Sequence, residues 1–243
     1  MRRVGIITQA RMTSTRLPGK VLIEVAGKSM LGHQLDRLTP IGVPVTVATT
    51  VNDIDDGIVA EAAAHGASTF RGGEQDVLAR FAGAAKAAGL DVVVRVTADC
   101  PLIDPAVIRE GIERFLTLDD PYAHVSNVLQ RTYPRGFDFE VFSTQALIEA
   151  DHHATEPSDR EHVTPYLYAN RSGRFTMHAV RRESDASAYR VTLDTAADLE
   201  LIRRLIIEHH AQTRTAEEII GVLESNPDLA AINAHIEQKK PGR

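Results

Sequence analysis

The chain has 243 residues, 27 Lys and Arg against 33 Asp and Glu (formally −6), 43% apolar and 25% charged residues, an ordinary globular composition. That length allows one large domain with a core that needs no covalent staples. The single cysteine, Cys100, excludes an internal disulfide and fits a reducing compartment. With no run of 18 apolar residues, no secretory leader and no basic stripe, the expectation is a cytoplasmic protein without membrane or nucleic-acid partners.

Residues 4–7 (VGII) read as a buried strand that breaks at once into a polar loop with Arg11, Arg16 and Lys20, punctuated by Pro18-Gly19. Up to Met30 six cations stand against one anion, Glu24. A cationic loop after the first strand of an acidic chain reads as an anion site, with a polyphosphate as its ligand, because fixed charges in a cleft focus the field there. The plain alternative is a solvated surface loop. This is not a P-loop, which needs a Gly four residues clear of Gly-Lys-Ser/Thr. Leu22 stands at that place before Gly27-Lys28-Ser29, Ser14 stands there before Gly19-Lys20, and no G-x-G-x-x-G occurs.

Residues 29–39 have helical apolar spacing, 44–49 (PVTVAT) read as a strand, and 53–65 as an Ala-rich helix capped by Asp53 and stopped by Gly66. A strand at 67–70 leads through Arg71-Gly72-Gly73 to a helix at 74–88, closed by Gly89. The β-branched run at 91–97 (DVVVRVT) predicts a central strand covered on both faces, so Arg95 within it needs a carboxylate partner or a ligand. Asp104 caps a helix with Pro105 at its first position, running to about residue 117. Such alternation predicts a parallel sheet with helices on both faces and ligands beyond the carboxyl ends of the strands, where the 11–20 loop and Asp99 both fall.

From residue 122 the rhythm changes. Strands are expected at 122–127 and 137–142 around a loop at 133–136, then a short helix at 143–151 and a helix at 158–170 kinked or split by Pro165. Residues 175–180 and 189–193 read as strands. Thr195 with Asp198, and Thr215 with Glu218, form capping boxes that open helices. Residues 1–236 read as one domain and 237–243 as a polar, frayed tail. The pairs His152-His153 and His209-His210 point apart on a helix and read as surface; Cys100 reads as packing. Arg80 is open between surface residue and phosphate contact.

The stretch ARMTSTRLPGK (10–20), with GKSML (27–31) and HQLDRL (33–38), closely resembles the N-terminal signature of the cytidylyltransferases that make CMP-activated sugar acids. The CMP-KDO synthetases, homologues of the CMP-sialate synthetases, are nearest in wording, and the layout is similar to the spore coat polysaccharide biosynthesis protein F family. The likeness continues at VRVTADCPLIDP (94–105), PRGFDFEVF (134–142), DREHVTPY (159–166) and VTLDTAADLELI (191–202), so it spans most of the chain.

The resemblance implies a three-layer α/β/α nucleotidyltransferase fold, GT-A-like and Rossmann-like. Its central sheet would be mostly parallel, with a small acceptor and dimerisation subregion at about 122–180. It implies CTP and an anionic acceptor as partners, a CMP conjugate and pyrophosphate as products, Mg²⁺ as cofactor, and a homodimer. By the family's pattern Arg11, Arg16 and Lys20 match the triphosphate-binding cations, Lys20 at the α-phosphate, and Asp99 and Asp194 match the metal ligands. Lys20, Arg16 and Asp99 form the catalytic set. For Asp194 the alternative is the helix cap before Thr195.

Gly72, Gly73 and Asp76 occupy the region that usually meets the cytosine, with a helix entry at Asp76 as the alternative. Arg135, Asp138, Glu140, Arg160 and His162 are the acceptor-side candidates, against a solvated rim or a dimer contact. A sugar acid would attack through an anomeric hydroxyl that must lose a proton, to a carboxylate such as Asp138. A phosphonate acceptor, the competing reading, is already anionic. A glycosyltransferase is a second alternative, although Asp99-Cys100-Pro101 lacks the Asp-x-Asp such enzymes carry there. A silent nucleotide binder is a third.

Overall fold

The computed structural model describes residues 2–237, so most of the polar tail lies outside the described residues. Strand β1 (Val4–Gln9) is followed by a hairpin of β2 (Glu24–Val25) and β3 (Lys28–Ser29), turned by Ala26 and Gly27 at positive φ. Next come α1 (Met30–Leu38), β4 (Val45–Thr50), α2 (Asp56–Ala64), β5 (Ser68–Gly72), α3 (Val77–Ala87), β6 (Val92–Thr97) and α4 (Pro105–Leu118). The second half holds β7 (Ala123–Ser126), β8 (Glu140–Ser143), α5 (Thr144–His153), α6 (Pro157–His162), α7 (Pro165–Tyr168) and β9 (Thr176–Ala179). It closes with α8 (Ala196–His209), α9 (Ala216–Ser225) and α10 (Pro227–Ala231).

One seven-stranded sheet runs β5-β4-β1-β6-β8-β7-β9. β5, β4, β1 and β6 are mutually parallel; β8 runs against both β6 and β7, and β9 is parallel to β7. β6 therefore sits in the middle, as its β-branched run predicts. Alternation along the strands sorts the core into two layers. Ile6, Val94 and Val96 pack with Phe115 of α4, Leu205 of α8 and Ile219 of α9. Ile7 and Val93 face the other way, onto Phe81 of α3 and Leu147 of α5.

Arg95 points into the second layer, over the Phe81 ring, and finds its expected carboxylate: Nη1 donates to Glu140 Oε1 at 2.5 Å. Glu140 is buried and also accepts from His124 Nε2 (2.9 Å) and Thr164 Oγ1 (3.1 Å). Burial alone would raise its pKa, but Arg95 and these hydrogen bonds outweigh it and bring the carboxyl down to about 2.

Several boundaries differ from the sequence reading. Residues 189–193 are extended but form no strand; the segment lies against loops, bridging Arg135 at Arg190 and donating Leu193 N to Asp99 O at 2.7 Å. β8 starts only at Glu140, because Phe137 and Phe139 are held by the Asn127 amide instead of a ladder. Asp53 opens a short 3₁₀ turn and caps nothing, while β5 extends through Gly72 and α3 begins at Val77. The predicted helix at 158–170 is split ahead of Pro165, at Val163.

Candidate active site

The cationic loop leaves β1 and is pinned to the end of β4 by one buried carboxylate. Asp55 takes the Met12 amide on Oδ1 (2.8 Å) and the hydroxyls of Thr49 (3.2 Å) and Thr50 (2.5 Å) on Oδ2. Gly19, at φ 68°, donates its amide to Met12 O and turns the chain so that Lys20 re-enters the protein. Sequence reasoning passed over Asp55, since nothing in its local pattern tells an anchor from a helix-start Asp.

Lys20 and Arg16 meet two carboxylates at the ends of distant segments. Lys20 Nζ donates to Asp194 Oδ1 (2.7 Å) and Leu193 O (2.6 Å) and stands 3.7 Å from Asp99 Oδ2. Arg16 Nη2 lies 3.0 Å from Asp194 Oδ2, which also accepts from Arg190 Nη2 at 2.8 Å. Burial pushes Asp194 up, yet Lys20, Arg16 and Arg190 hold it below the ordinary carboxylate value. Thr195, boxed with Asp198, is the cap of α8, so Asp194 is not spent as one. Asp99 accepts from Thr97 Oγ1 at 2.5 Å, which fixes the carboxylate just past the end of β6.

Arg11, Arg16, Lys20, Asp99, Asp194 and His162 line one cleft across the carboxyl ends of the sheet. Gln9, Ser14, Thr15, Val77, Arg80 and Glu161, which the sequence did not single out or left undecided, line it too. Arg11 leans away from its two partners, 3.7 Å from Glu74. Arg95 Nη2 donates to Gln9 Oε1 at 3.2 Å, which turns the amide nitrogen of Gln9 away from Arg95. His162 is aimed by a tight reversal: Val163 sits at φ 71°, ψ −53°, and Thr164 N donates to His162 O at 2.8 Å, a γ-turn in a buried β-branched residue.

The remaining candidates do not line this cleft. Gly72 belongs to β5 and Gly73 follows it; a Cβ on Gly72 would lie 3.2 Å from Arg80 Cγ, and Gly73 O accepts from Arg80 Nη1 at 2.8 Å, so these glycines seat Arg80. Asp76 caps α3 through Ala79 N (2.9 Å), and its other oxygen pairs with Arg160. Arg160 also takes Asp151 Oδ1 at 2.8 Å, tying α6 to α3 and α5 instead of facing a ligand. Glu140 is committed to Arg95 and His124 beneath the sheet end. Both oxygens of Asp138 are held by Arg131, at 2.6 and 2.7 Å.

Arg135 differs from these: no acid pairs with it among the described residues. Burial and the charges of Arg131 and Arg190 hold its guanidinium below its ordinary pKa. Gly136 beside it is at φ 110°, where a Cβ would come within 2.5 Å of Val191 C, so only glycine lets this loop lie on 189–193.

A mostly parallel sheet with two cations and two carboxylates gathered past its first and middle strands defines a nucleotidyltransferase. Residues 5–226 match the cytidylyltransferase family model, and the chain belongs to that family. It is 31% identical over 240 residues to the spore coat polysaccharide biosynthesis protein SpsF of Bacillus subtilis, covering 95% of this chain and 98% of that one. It is 34% identical over 134 residues to a 3-deoxy-manno-octulosonate cytidylyltransferase of Solibacter usitatus, covering 54% of this chain and 49% of that one.

Among solved structures, a cytidylyltransferase from Leptospira borgpetersenii superposes with a TM-score of 0.91 at 34% identity, over 99% of this chain and 100% of that one. A CMP:2-keto-3-deoxy-manno-octonic acid synthetase complexed with CTP shares the fold, with a TM-score of 0.63 at 18% identity over 85% of this chain and 99% of that one. The family's reaction, CTP-dependent transfer of CMP, sets aside the glycosyltransferase and silent-binder alternatives.

Proposed function

We propose that this enzyme transfers CMP from CTP to an anionic sugar acid and releases pyrophosphate, with Mg²⁺ held by Asp99 and Asp194. The observation that carries this reading is the convergence of both carboxylates on one ammonium, Lys20 Nζ, at 3.7 and 2.7 Å. Among the described residues no cluster of three His, Cys, Asp or Glu that could hold a metal forms. Two carboxylates nonetheless fit Mg²⁺, a hard cation that one or two protein carboxylates would hold beside substrate phosphates. Bound there, the ion neutralises charge on the phosphates.

The chain's own part is positioning. Lys20 brings a compact charge to the α-phosphate beside Asp99, while the forked guanidiniums of Arg16 and Arg11 suit the outer phosphates. The triphosphate oxygens would replace Asp194 as the partners of Lys20 and Arg16, leaving its carboxylate free to hold the cation with Asp99. Arg135, unpaired by any acid among the described residues, takes the acceptor's carboxylate beyond the lining of the cleft that His162 borders.

One observation favours a second reading. Asp138, the sequence's candidate for the hydroxyl proton, has both oxygens engaged by Arg131, and a phosphonate acceptor needs no base. A pyrophosphate-release screen with CTP, ATP, GTP and UTP across sugar acids and small phosphonates tests both. Release with CTP and a sugar acid is expected; release with phosphonates alone moves the assignment to the second reading, and a preference for another nucleotide overturns both.

A further inference from the structure

Glu140 reaches two groups of the cleft, each through one intermediary. On one side Arg95 donates to Glu140 Oε1 at 2.5 Å and to Gln9 Oε1 at 3.2 Å. On the other, Thr164 Oγ1 donates to the same Glu140 oxygen at 3.1 Å, and Thr164 N closes the turn that aims His162. Gln9 and His162 both line the cleft, together with Thr97 and Asp99. The register sets Gln9 of β1 beside Thr97 of β6, whose hydroxyl donates to Asp99. The guanidinium also fixes which end of the Gln9 amide faces outward. Arginine only donates, so Oε1 turns to it, and Nε2 is left with no partner among the described residues.

Two atoms of this network, Arg95 Nε and His124 Nδ1, are buried without a hydrogen-bond partner. Replacing such a network whole with apolar groups often costs nothing, so its place here is better explained by what it holds. It holds an uncharged donor, Gln9 Nε2, in a single orientation at the cleft. An uncharged donor selects among ligand oxygens. Phosphate and phosphonate oxygens are better met by cations such as Arg16 and Lys20. A sugar hydroxyl is met by an amide without stripping water from a charge. The ribose of a nucleotide carries hydroxyls too, but the second line from Glu140 runs to His162, an acceptor-side candidate, and that puts Gln9 with the acceptor.

We propose that Gln9, held by Arg95 and Glu140, donates from Nε2 to a hydroxyl oxygen of the acceptor, and so favours a polyhydroxylated sugar acid over a small phosphonate. Arg95 and Glu140 touch no ligand; they are positioning residues. The inference rests on the sugar-acid reading above. Two measurements on the full chain test it: pyrophosphate release with 3-deoxy-manno-octulosonate, N-acetylneuraminate or methylphosphonate as acceptor, and titration calorimetry with CTP in magnesium buffer. Gln9→Met keeps the length of the side chain without its donor. It is expected to raise the sugar-acid KM about 3- to 10-fold, the range of one neutral hydrogen bond, and to narrow the preference over methylphosphonate by the same factor. CTP affinity should stay as in the wild type. Arg95→Lys keeps a charge opposite Glu140 but not the fork that holds Gln9. It should raise the same KM, and the double variant should be no worse than Gln9→Met alone.

An unchanged sugar-acid KM in Gln9→Met overturns the inference and leaves the sugar-acid reading intact. A loss confined to CTP affinity makes Gln9 a ribose contact and also overturns it. Additive effects in the double variant remove the part given to Arg95; if Arg95→Lys does not fold, Gln9→Met decides alone. If neither sugar acid supports release in the wild type, the sugar-acid reading falls and this inference falls with it.

Discussion

Two ionic networks lie a few residues apart along the middle of the sheet, one in the cleft and one beneath it. Around Asp194, three cations crowd one carboxylate beside Asp99, and all but the buried Arg190 line the cleft. Around Glu140, Arg95 and His124 close on the carboxylate with Thr164, and His124 has no exposed surface. The residue types are alike, but only the first group can exchange its partners for a ligand. The second is structural, because among the described residues Arg95 pairs with no acid but Glu140. Charge near β6 is therefore no guide to catalysis until access is known.

That contrast can be broken most directly at Glu140. Glu140→Gln removes the counter-charge of Arg95 and is expected to destabilise the protein by about 3–5 kcal/mol, read as a lower midpoint in urea, with CTP binding per folded molecule little changed. The pH dependence follows from the depressed pKa. Glu140 contributes stability above its unfolded value of 4.5, and that contribution is lost as pH falls through about 2. The stabilities of wild type and variant should therefore converge over that window; a constant gap would mean that the charge of Glu140 is not what holds Arg95.

In the cleft the balance is reversed. Lys20→Ala and Asp99→Asn should each lower turnover at least about a hundredfold, measured by pyrophosphate release at saturating CTP, with normal melting curves. Near-normal rates in both would show that the cleft network is as structural as the buried one. Arg135→Met sharpens the comparison on the acceptor side, with an expected rise in acceptor KM of about tenfold and an unchanged KM for CTP. Asp76→Ala should do least. Loss of the α3 cap costs about 1 kcal/mol, and CTP binding holds, since Asp76 faces Ala79 and Arg160.

Much of the fold was legible because it is written in local chemistry. The β-branched run of β6, Pro105 after Asp104, and the boxes of Thr195 and Thr215 each determine an element by themselves. The misplaced strand at 189–193 shows the limit: its alternation is real, but whether such a segment joins a ladder depends on which chain lies beside it. The site divides in the same way. Arg16, Lys20 and Asp99 were readable because a loop after a strand must open onto the sheet's carboxyl end. The partners of Asp76, Glu140 and Arg160 were not, since they lie 84, 45 and 84 residues away in sequence. Arg80 could not be decided for the opposite reason: nothing in sequence reveals that its partner is a nearby backbone carbonyl, Gly73 O.

The γ-turn at Val163 has one more effect. A branched side chain held there carries of the order of 1–3 kcal/mol of backbone tension. The buried contacts of that valine and the bond from Thr164 to Glu140 keep it from springing back. The closed network beneath the sheet thus acts as a latch on the rim above it, and loosening the latch would let the imidazole of His162 swing off its bearing while Arg16, Lys20 and Asp99 stayed where they were.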